Sequence, residues 1–362
     1  MDLRRLGYCS FYEEQVAKLA TQPRHQGQRK PGRISRVDGV TAQILTEDRP
    51  EDQHTTVAVP ARIRRAEELR PVVGDWIIFD PDHPGQPTIS AVLRRKTQIS
   101  RVAAGIRTEL QVLAANVDIV FIVMGLDGDF SPHRIERYIA TAADGGARPV
   151  VLLTKAGACT EVETRLADLR LATQNIDLHA IDVVTGIGAQ IPQQYAKEAA
   201  TIALLGSSGA GKSTLVNHLM GREVMPVGSV REDDQRGRHT TTHRQLLVLP
   251  KGGVIIDNPG IRELSLWLAG DGLNRAFSDV ATIARECRFG DCFHRREPGC
   301  AVRLAVEHGQ LDAGRLERFL RLRDEIGQTQ LRRDELSRRT TDKARGKFNR
   351  AAIREGQRRK GG

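Results

Sequence analysis

Gly206, Ser207, Ser208, Gly209, Ala210, Gly211, Lys212 and Ser213 fit G-x-x-x-x-G-K-[ST], a pattern whose chemistry is phosphate binding. Its glycines let backbone N–H groups close around phosphates, and the positive end of a following helix dipole adds to the attraction. Lys212 is placed to reach the β- and γ-phosphates, and the Ser213 hydroxyl to bind Mg²⁺. The flanks agree, since Ile202–Leu205 reads as a strand and Leu215, Val216 and Leu219 share one helical face. Asp257, at the end of a second apolar run, begins Asp-Asn-Pro-Gly260. There the carboxylate can hold Mg²⁺ through water, and the Gly260 N–H can sense the γ-phosphate. Alone, D-x-x-G is an ordinary turn; its place after a phosphate loop gives it weight. Between the two lies Gly237–Arg244, a run of hydroxyls and histidines that reads as a switch segment able to close over nucleotide and metal.

Two further constellations stand out. Thr154, Lys155, Ala156 and Gly157 follow the strand-like Val150–Leu153. In GTP-binding domains a [NT]-K-x-D element at such a place reads the base, and here the fourth residue is glycine. Cys287, Cys292, His294 and Cys300 form C-x₄-C-x-H-x₅-C, four soft ligands close enough for a closed, structural, tetrahedral Zn²⁺ site. Cys9 and Cys159 stand apart and read as ordinary thiols.

The chain must be large enough to position these groups, and it is: 362 residues imply two or three domains. The composition, 28% charged and 40% hydrophobic, is that of a globular protein. Apolar runs are too short for a membrane span, and the N-terminus lacks a signal-peptide pattern. Five cysteines in such a length suggest a reducing, cytoplasmic setting. The net charge is +10, and residues 331–362 hold twelve Lys and Arg against four Asp and Glu, so the excess sits mainly in a tail.

Residues 1–32 are polar and basic and read as a flexible arm. Five short β-branched stretches within 33–98 suit a small barrel, with an OB-fold leading and an SH3-like barrel as the competing form. Residues 99–270 alternate strand and helix, the pattern of a parallel sheet covered by helices. Residues 271–330 read as helical around the cysteine cluster, and 331–362 as a basic tail.

The order is unusual, since the base-reading element precedes the phosphate loop. With a barrel in front and the cysteine–histidine cluster behind, the chain resembles the RsgA family of circularly permuted GTPases over residues about 33–325. Further matching segments are Val72–Trp76, Ala114–Asp118, His239–Thr242 and Arg262-Glu263. The resemblance implies an OB-fold, a permuted P-loop GTPase domain and a helical zinc-binding domain. It implies a cytoplasmic monomer that binds the small ribosomal subunit and its rRNA, assists its late maturation, and hydrolyses GTP to GDP with subunit stimulation. It gives Gly206–Thr214 to the phosphates, Ser213 and Thr241 to Mg²⁺, Thr154–Gly157 to the base, and one Zn²⁺ to the four soft ligands.

Three positions need their own account. Ile261 follows Gly260 where many GTPases carry a water-orienting Gln; His239 is the candidate to accept from the attacking water, with His243 as the alternative. Gly157 replaces the base-reading Asp, and Asp182-Val183 stands where the family usually has Ser-Ala. Losing a bidentate base contact costs roughly 1–3 kcal/mol of discrimination, so weakened guanine preference is expected. The competing readings are an rRNA-binding assembly factor with a decayed or base-unselective site, and a P-loop ATPase or kinase. GTP and ATP assays side by side separate them.

Overall fold

The structure is a computed structural model that describes residues 2–21, 29–66, 69–102, 110–173, 176–196, 199–226, 244–257, 271–331 and 334–335. Strands β1 (Lys30–Asp38), β2 (Thr41–Leu45), β3 (Thr55–Ala58), β4 (Trp76–Asp80) and β5 (Thr88–Val92) close a barrel in the order β1-β2-β3-β5-β4, with the short helix α2 (Ala61–Arg65) between β3 and β4 in the chain. The β3–β5 pair is parallel and β4 returns to β1, which is the Greek-key closure of an OB-fold and settles the choice between barrels. Ile34, Ile44, Val57, Ile77 and Ile89 fill its interior, each at 0% exposure.

The second unit is a six-stranded sheet in the order β10-β9-β8-β11-β13-β12. Its strands are β8 (Ile119–Gly125), β9 (Arg148–Thr154), β10 (Asp177–Ala180), β11 (Thr201–Leu205), β12 (Gln245–Val248) and β13 (Val254–Asp257). All neighbours run parallel except β12, which lies antiparallel on β13. β8 and β11 are buried on both faces, so their apolar runs are continuous rather than alternating. Val120, Ile122, Met124, Ala203 and Leu205 point into one core, and Phe121, Val123, Ile202 and Leu204 into the other. Helix α3 (Pro132–Asp144) starts where Ser131 accepts from the Arg134 N–H, the cap expected of a Ser-Pro start. A hairpin of β6 (Gln98–Val102) and β7 (Leu110–Ala115) links barrel to sheet, an element the sequence pattern did not reveal.

The N-terminus differs from the expected flexible arm. A 3₁₀ turn at Leu3–Leu6 leads into α1 (Ser10–Ala20), and Leu6 and Tyr12 are buried at 0% and 1% exposure. Tyr8 and Tyr12 pack on Trp76 with ring centroids 4.9 and 5.6 Å away. Aromatic burial, not helical periodicity, orders this segment, and its partners lie some 60 residues downstream.

Val72–Trp76 and Ala114–Asp118, two of the segments that carry the resemblance, meet at the junction of barrel and sheet. The Ala115 N–H donates to the Val73 carbonyl at 3.0 Å, and the Asn116 side-chain amide donates to the Gly74 carbonyl at 3.0 Å. Gly74 has φ +91°, and a Cβ there would stand 2.2 Å from the Ala115 carbonyl oxygen, so only glycine fits. Arg33 is buried in the same junction at 1% exposure.

The C-terminal part is helical, as expected: α4 (Val162–Ala172) and α5 (Ile191–Tyr195) belong to the sheet, while α7 (Gly272–Ala276), α8 (Ser278–Ala284), α9 (Ala301–Glu307) and the helix α10 at 313–331 follow it. This module is clamped onto α3. Glu136 of α3 accepts from Arg315 at 3.0 Å and from Arg318 at 2.9 Å, and Arg315 also pairs with Asp279 at 3.0 Å. The Arg315 guanidinium lies 3.9 Å from the Phe277 ring centroid. Charges this deeply buried persist because they are paired with one another.

Candidate nucleotide site and metal cluster

β11 ends at the phosphate loop, and α6 (Lys212–Met220) begins directly after it. Gly206, Gly209 and Gly211 have φ values of 152°, 77° and 91°, positive angles that glycine takes readily and that suit a tight phosphate-binding turn. A Cβ on Gly206 would stand 2.1 Å from the Val123 carbonyl oxygen, so β8 dictates that glycine sterically. Lys212 Nζ donates to the Gly206 carbonyl at 2.8 Å and to the Ser207 carbonyl. The ammonium therefore already sits across the loop, where phosphate oxygens can take over from the carbonyls. Ser213 is exposed on the first turn of α6.

Asp257 ends β13, beside β11 in the sheet. Burial raises its carboxyl above the ordinary range, opposed by the Lys212 ammonium. A half-buried carboxylate and an exposed hydroxyl, both oxygen donors flanking one loop, suit Mg²⁺. His239, Thr241, His243, Gly260 and Ile261 lie outside the described residues.

Thr154–Gly157 come to the same edge of the sheet. The Thr154 hydroxyl donates to the Ala210 carbonyl at 2.7 Å, which fixes the phosphate loop to the end of β9. Lys155 has φ 63° and its ammonium pairs with Asp127 at 2.5 Å. The Ala156 N–H donates to the Ile181 carbonyl, joining this loop to the one after β10. The Gly157 N–H donates to Asp182 Oδ2 at 3.2 Å. Asp127, Asp129 and Asp182 are the carboxylates of this rim that sequence reasoning gave no role in the site. Asp127 and Asp129 follow an apolar strand in Leu126-Asp-Gly-Asp129, a signal that acidic groups stand at a strand's C-terminal end. Asp129 accepts from the Ser207 hydroxyl and pairs with Arg134 at 2.7 Å.

The four soft ligands converge between α8 and α9. Cys287 Sγ and Cys300 Sγ lie 3.6 and 3.4 Å from His294 Nδ1, and 4.0 Å from each other. With Cys292, all four ligand atoms lie within 4.8 Å of one another. A tetrahedral Cys₃His site with ordinary Zn–S and Zn–N bonds places its ligand atoms roughly 3.5–3.8 Å apart, so the cluster lies within about 1 Å of metal-binding spacing. His294 adopts φ 59°, a conformation a non-glycine residue takes where local constraint demands it.

Comparison with known proteins matches this architecture. The family model described as RsgA GTPase matches residues 92–267, and one described as ABC transporter matches 193–354, a stretch that also contains the phosphate loop. The small ribosomal subunit biogenesis GTPase RsgA of Xylella fastidiosa is 44% identical over 300 residues, covering 82% of this chain and 88% of that protein. Its counterpart in Xanthomonas oryzae pv. oryzae is 46% identical over 285 residues, covering 78% and 77%. Among solved structures, YjeQ from Thermotoga maritima superposes with a TM-score of 0.63 at 24% identity, covering 82% of this chain and 98% of that one. YloQ, a circularly permuted GTPase, gives 0.60 at 19% identity, covering 85% and 98%. These two likenesses speak for the fold.

Proposed function

Because the chain belongs to the RsgA family, we propose that it is a P-loop GTPase of small ribosomal subunit biogenesis that hydrolyses GTP to GDP and phosphate when it engages the subunit. The observation that carries this is the order of the sheet. A complete phosphate loop lies at its centre, with the base-side loops 154–157 and 182–186 contributed by chain that precedes it. A decayed site is not favoured, since Lys212, Ser213 and Asp257 are all present in the chain.

Gly206–Thr214 bind the phosphates through backbone N–H groups. Lys212 moves from the loop carbonyls to the β- and γ-phosphates. Ser213, Asp257 and Thr241 hold Mg²⁺, which when bound neutralises charge on the phosphate oxygens. Gly260 senses the γ-phosphate, and His239 accepts from the attacking water; neither lies among the described residues. Thr154–Gly157 flank the base, with Thr154 also bracing the phosphate loop. Cys287, Cys292, His294 and Cys300 hold one structural Zn²⁺, which staples the C-terminal module. The barrel and the basic tail contact rRNA mainly through phosphates, since aromatic residues are only 4% of the chain and supply few stacking platforms. The protein acts as a cytoplasmic monomer in units of about 33–98, 99–270, 271–330 and 331–362, with the N-terminal segment packed on the barrel; among the described residues no helix is long and apolar enough to cross a membrane.

The test is GTP and ATP hydrolysis with and without purified small subunits. Strong stimulation of GTP hydrolysis is expected. No hydrolysis with subunit binding intact would instead favour the assembly factor without turnover.

A further inference from the structure

Guanine and adenine differ at the edge that a reading residue meets. Guanine presents two donors, N1–H and the 2-amino group. Adenine presents an unprotonated N1 and a C–H. An ionised carboxylate accepts hydrogen bonds only, so it attracts the first edge and repels the second. In open α/β sheets the ligand lies outside the carboxyl ends of the strands. With phosphates over the loop after β11, the base lies over the ends of the adjoining β8, β9 and β10.

Among the described residues, three carboxylates rim that edge. Asp127 is taken up by Lys155, and Asp129 by Arg134 and Ser207. Asp182 makes no ion pair among the described residues. It leans instead from the loop after β10 onto the loop after β9. Its Oδ1 accepts from the N–H groups of Val184 at 3.0 Å and Thr185 at 3.2 Å, and its Oδ2 from Gly157 at 3.2 Å. A Cβ built on Gly157 would stand 2.9 Å from that same Oδ2. A side chain at 157 and the Asp182 carboxylate therefore compete for one place, and the sequence supplies one of them.

We propose that Asp182 is the specificity-determining carboxylate of this site, reaching the guanine edge from the loop after β10 and standing in for the side chain that Gly157 lacks. This rests on the GTPase reading above. The backbone donors fill three of the roughly four acceptor positions of a carboxylate. The Thr185 hydroxyl bears on the group as well, and it is a rotatable donor that a base edge can displace. Asp182 then offers guanine one strong bond in place of two. Guanine preference survives, though weaker than a bidentate contact would make it.

The experiment measures equilibrium binding of GDP, ADP and xanthosine diphosphate, with Mg²⁺, to the full chain and its variants. The wild type should prefer GDP. Asp182→Asn should weaken GDP about tenfold and strengthen xanthosine diphosphate, because an amide donates to the 2-oxo group that replaces the 2-amino group. Asp182→Ser retains a hydroxyl to accept from the loop N–H groups and should lose only the preference. Gly157→Asp alone should bind poorly, with two carboxylates crowded together, while Gly157→Asp with Asp182→Ser should restore GDP preference. An unchanged GDP-to-ADP ratio in Asp182→Asn and Asp182→Ser, with no gain for xanthosine diphosphate, overturns the proposal and leaves the GTPase reading standing. A wild type that binds GDP and ADP alike also overturns it. A wild type that binds no nucleotide overturns the GTPase reading and the proposal together.

Discussion

Arg33, in the first strand of the barrel, donates from Nη2 to the Thr201 hydroxyl at 2.8 Å, at the first residue of the strand that ends in the phosphate loop. The same guanidinium donates to the carbonyls of Leu6, Gly74 and Asn116 and lies 5.4 Å from the centroid of Trp76. One side chain thus ties the N-terminal turn, the barrel and the central strand together. Burial lowers its pKa to about 10, still far above neutrality, so it works as a cation. Arg33→Met leaves several buried acceptors without a donor. It should lower the unfolding free energy by about 3 kcal/mol in chemical denaturation. A loss below about 1 kcal/mol would show that water replaces the guanidinium there.

The Glu136 clamp makes a second prediction. Glu136→Ala leaves Arg315 buried with Asp279 as its remaining carboxylate partner. Stability should fall by about 3–5 kcal/mol, the usual penalty for breaking a buried pair from one side. Protease sensitivity should rise within 271–331 before it rises in the barrel. Uniform sensitivity would mean that the clamp is not what holds the module to α3.

Lys212→Ala should leave the fold intact, because Lys212 is partly exposed and sits at the edge of the loop rather than in the core. Hydrolysis should fall about 10²- to 10³-fold, the scale of removing one preorganised charge from a developing anion. Single-turnover hydrolysis beside a thermal melt separates loss of chemistry from loss of structure.

Metal removal should act locally. Stripping with a strong chelator, or Cys300→Ser, should release one metal equivalent and reduce helical signal, because a Cys₃His cluster carries folding free energy for its own module. Metal analysis that finds iron rather than zinc would correct the ion and leave the ligand set unchanged.

A pH prediction follows from Asp182. Burial works to raise its carboxyl, but the N–H groups of Thr185, Val184 and Gly157 outweigh it and hold the group below the usual carboxylate range. A depressed acid contributes above its unfolded value and loses that contribution as pH falls through the folded one. Guanine preference should therefore stay flat from about pH 8 down to about pH 5. A preference that collapses near pH 6 would point to a histidine instead.

Legibility in the sequence followed distance along the chain. The phosphate loop and the cysteine–histidine cluster are local patterns; the loop lies between β11 and α6, and the four soft ligands lie within 4.8 Å of one another. The strands of the barrel were legible one by one, but their closure was not, because β3–β5 pairing depends on which edges meet. The N-terminal helix escaped notice since Tyr12 finds its partners at Arg33 and Trp76. Asp182 looked like a defect beside Gly157, and their relationship appears only when the two loops touch.

The permuted order also bears on how the chain is made. β8, β9 and β10 leave the ribosome as a contiguous half-sheet, and β8 ends at Gly125, long before β11 begins at Thr201. Until β11 emerges, the apolar inner edge of β8 has no strand to pair with. An unpaired hydrophobic edge in a nascent chain is a target for misassociation. Vectorial synthesis therefore makes the phosphate strand the keystone, joining β8 before its other edge can take β13.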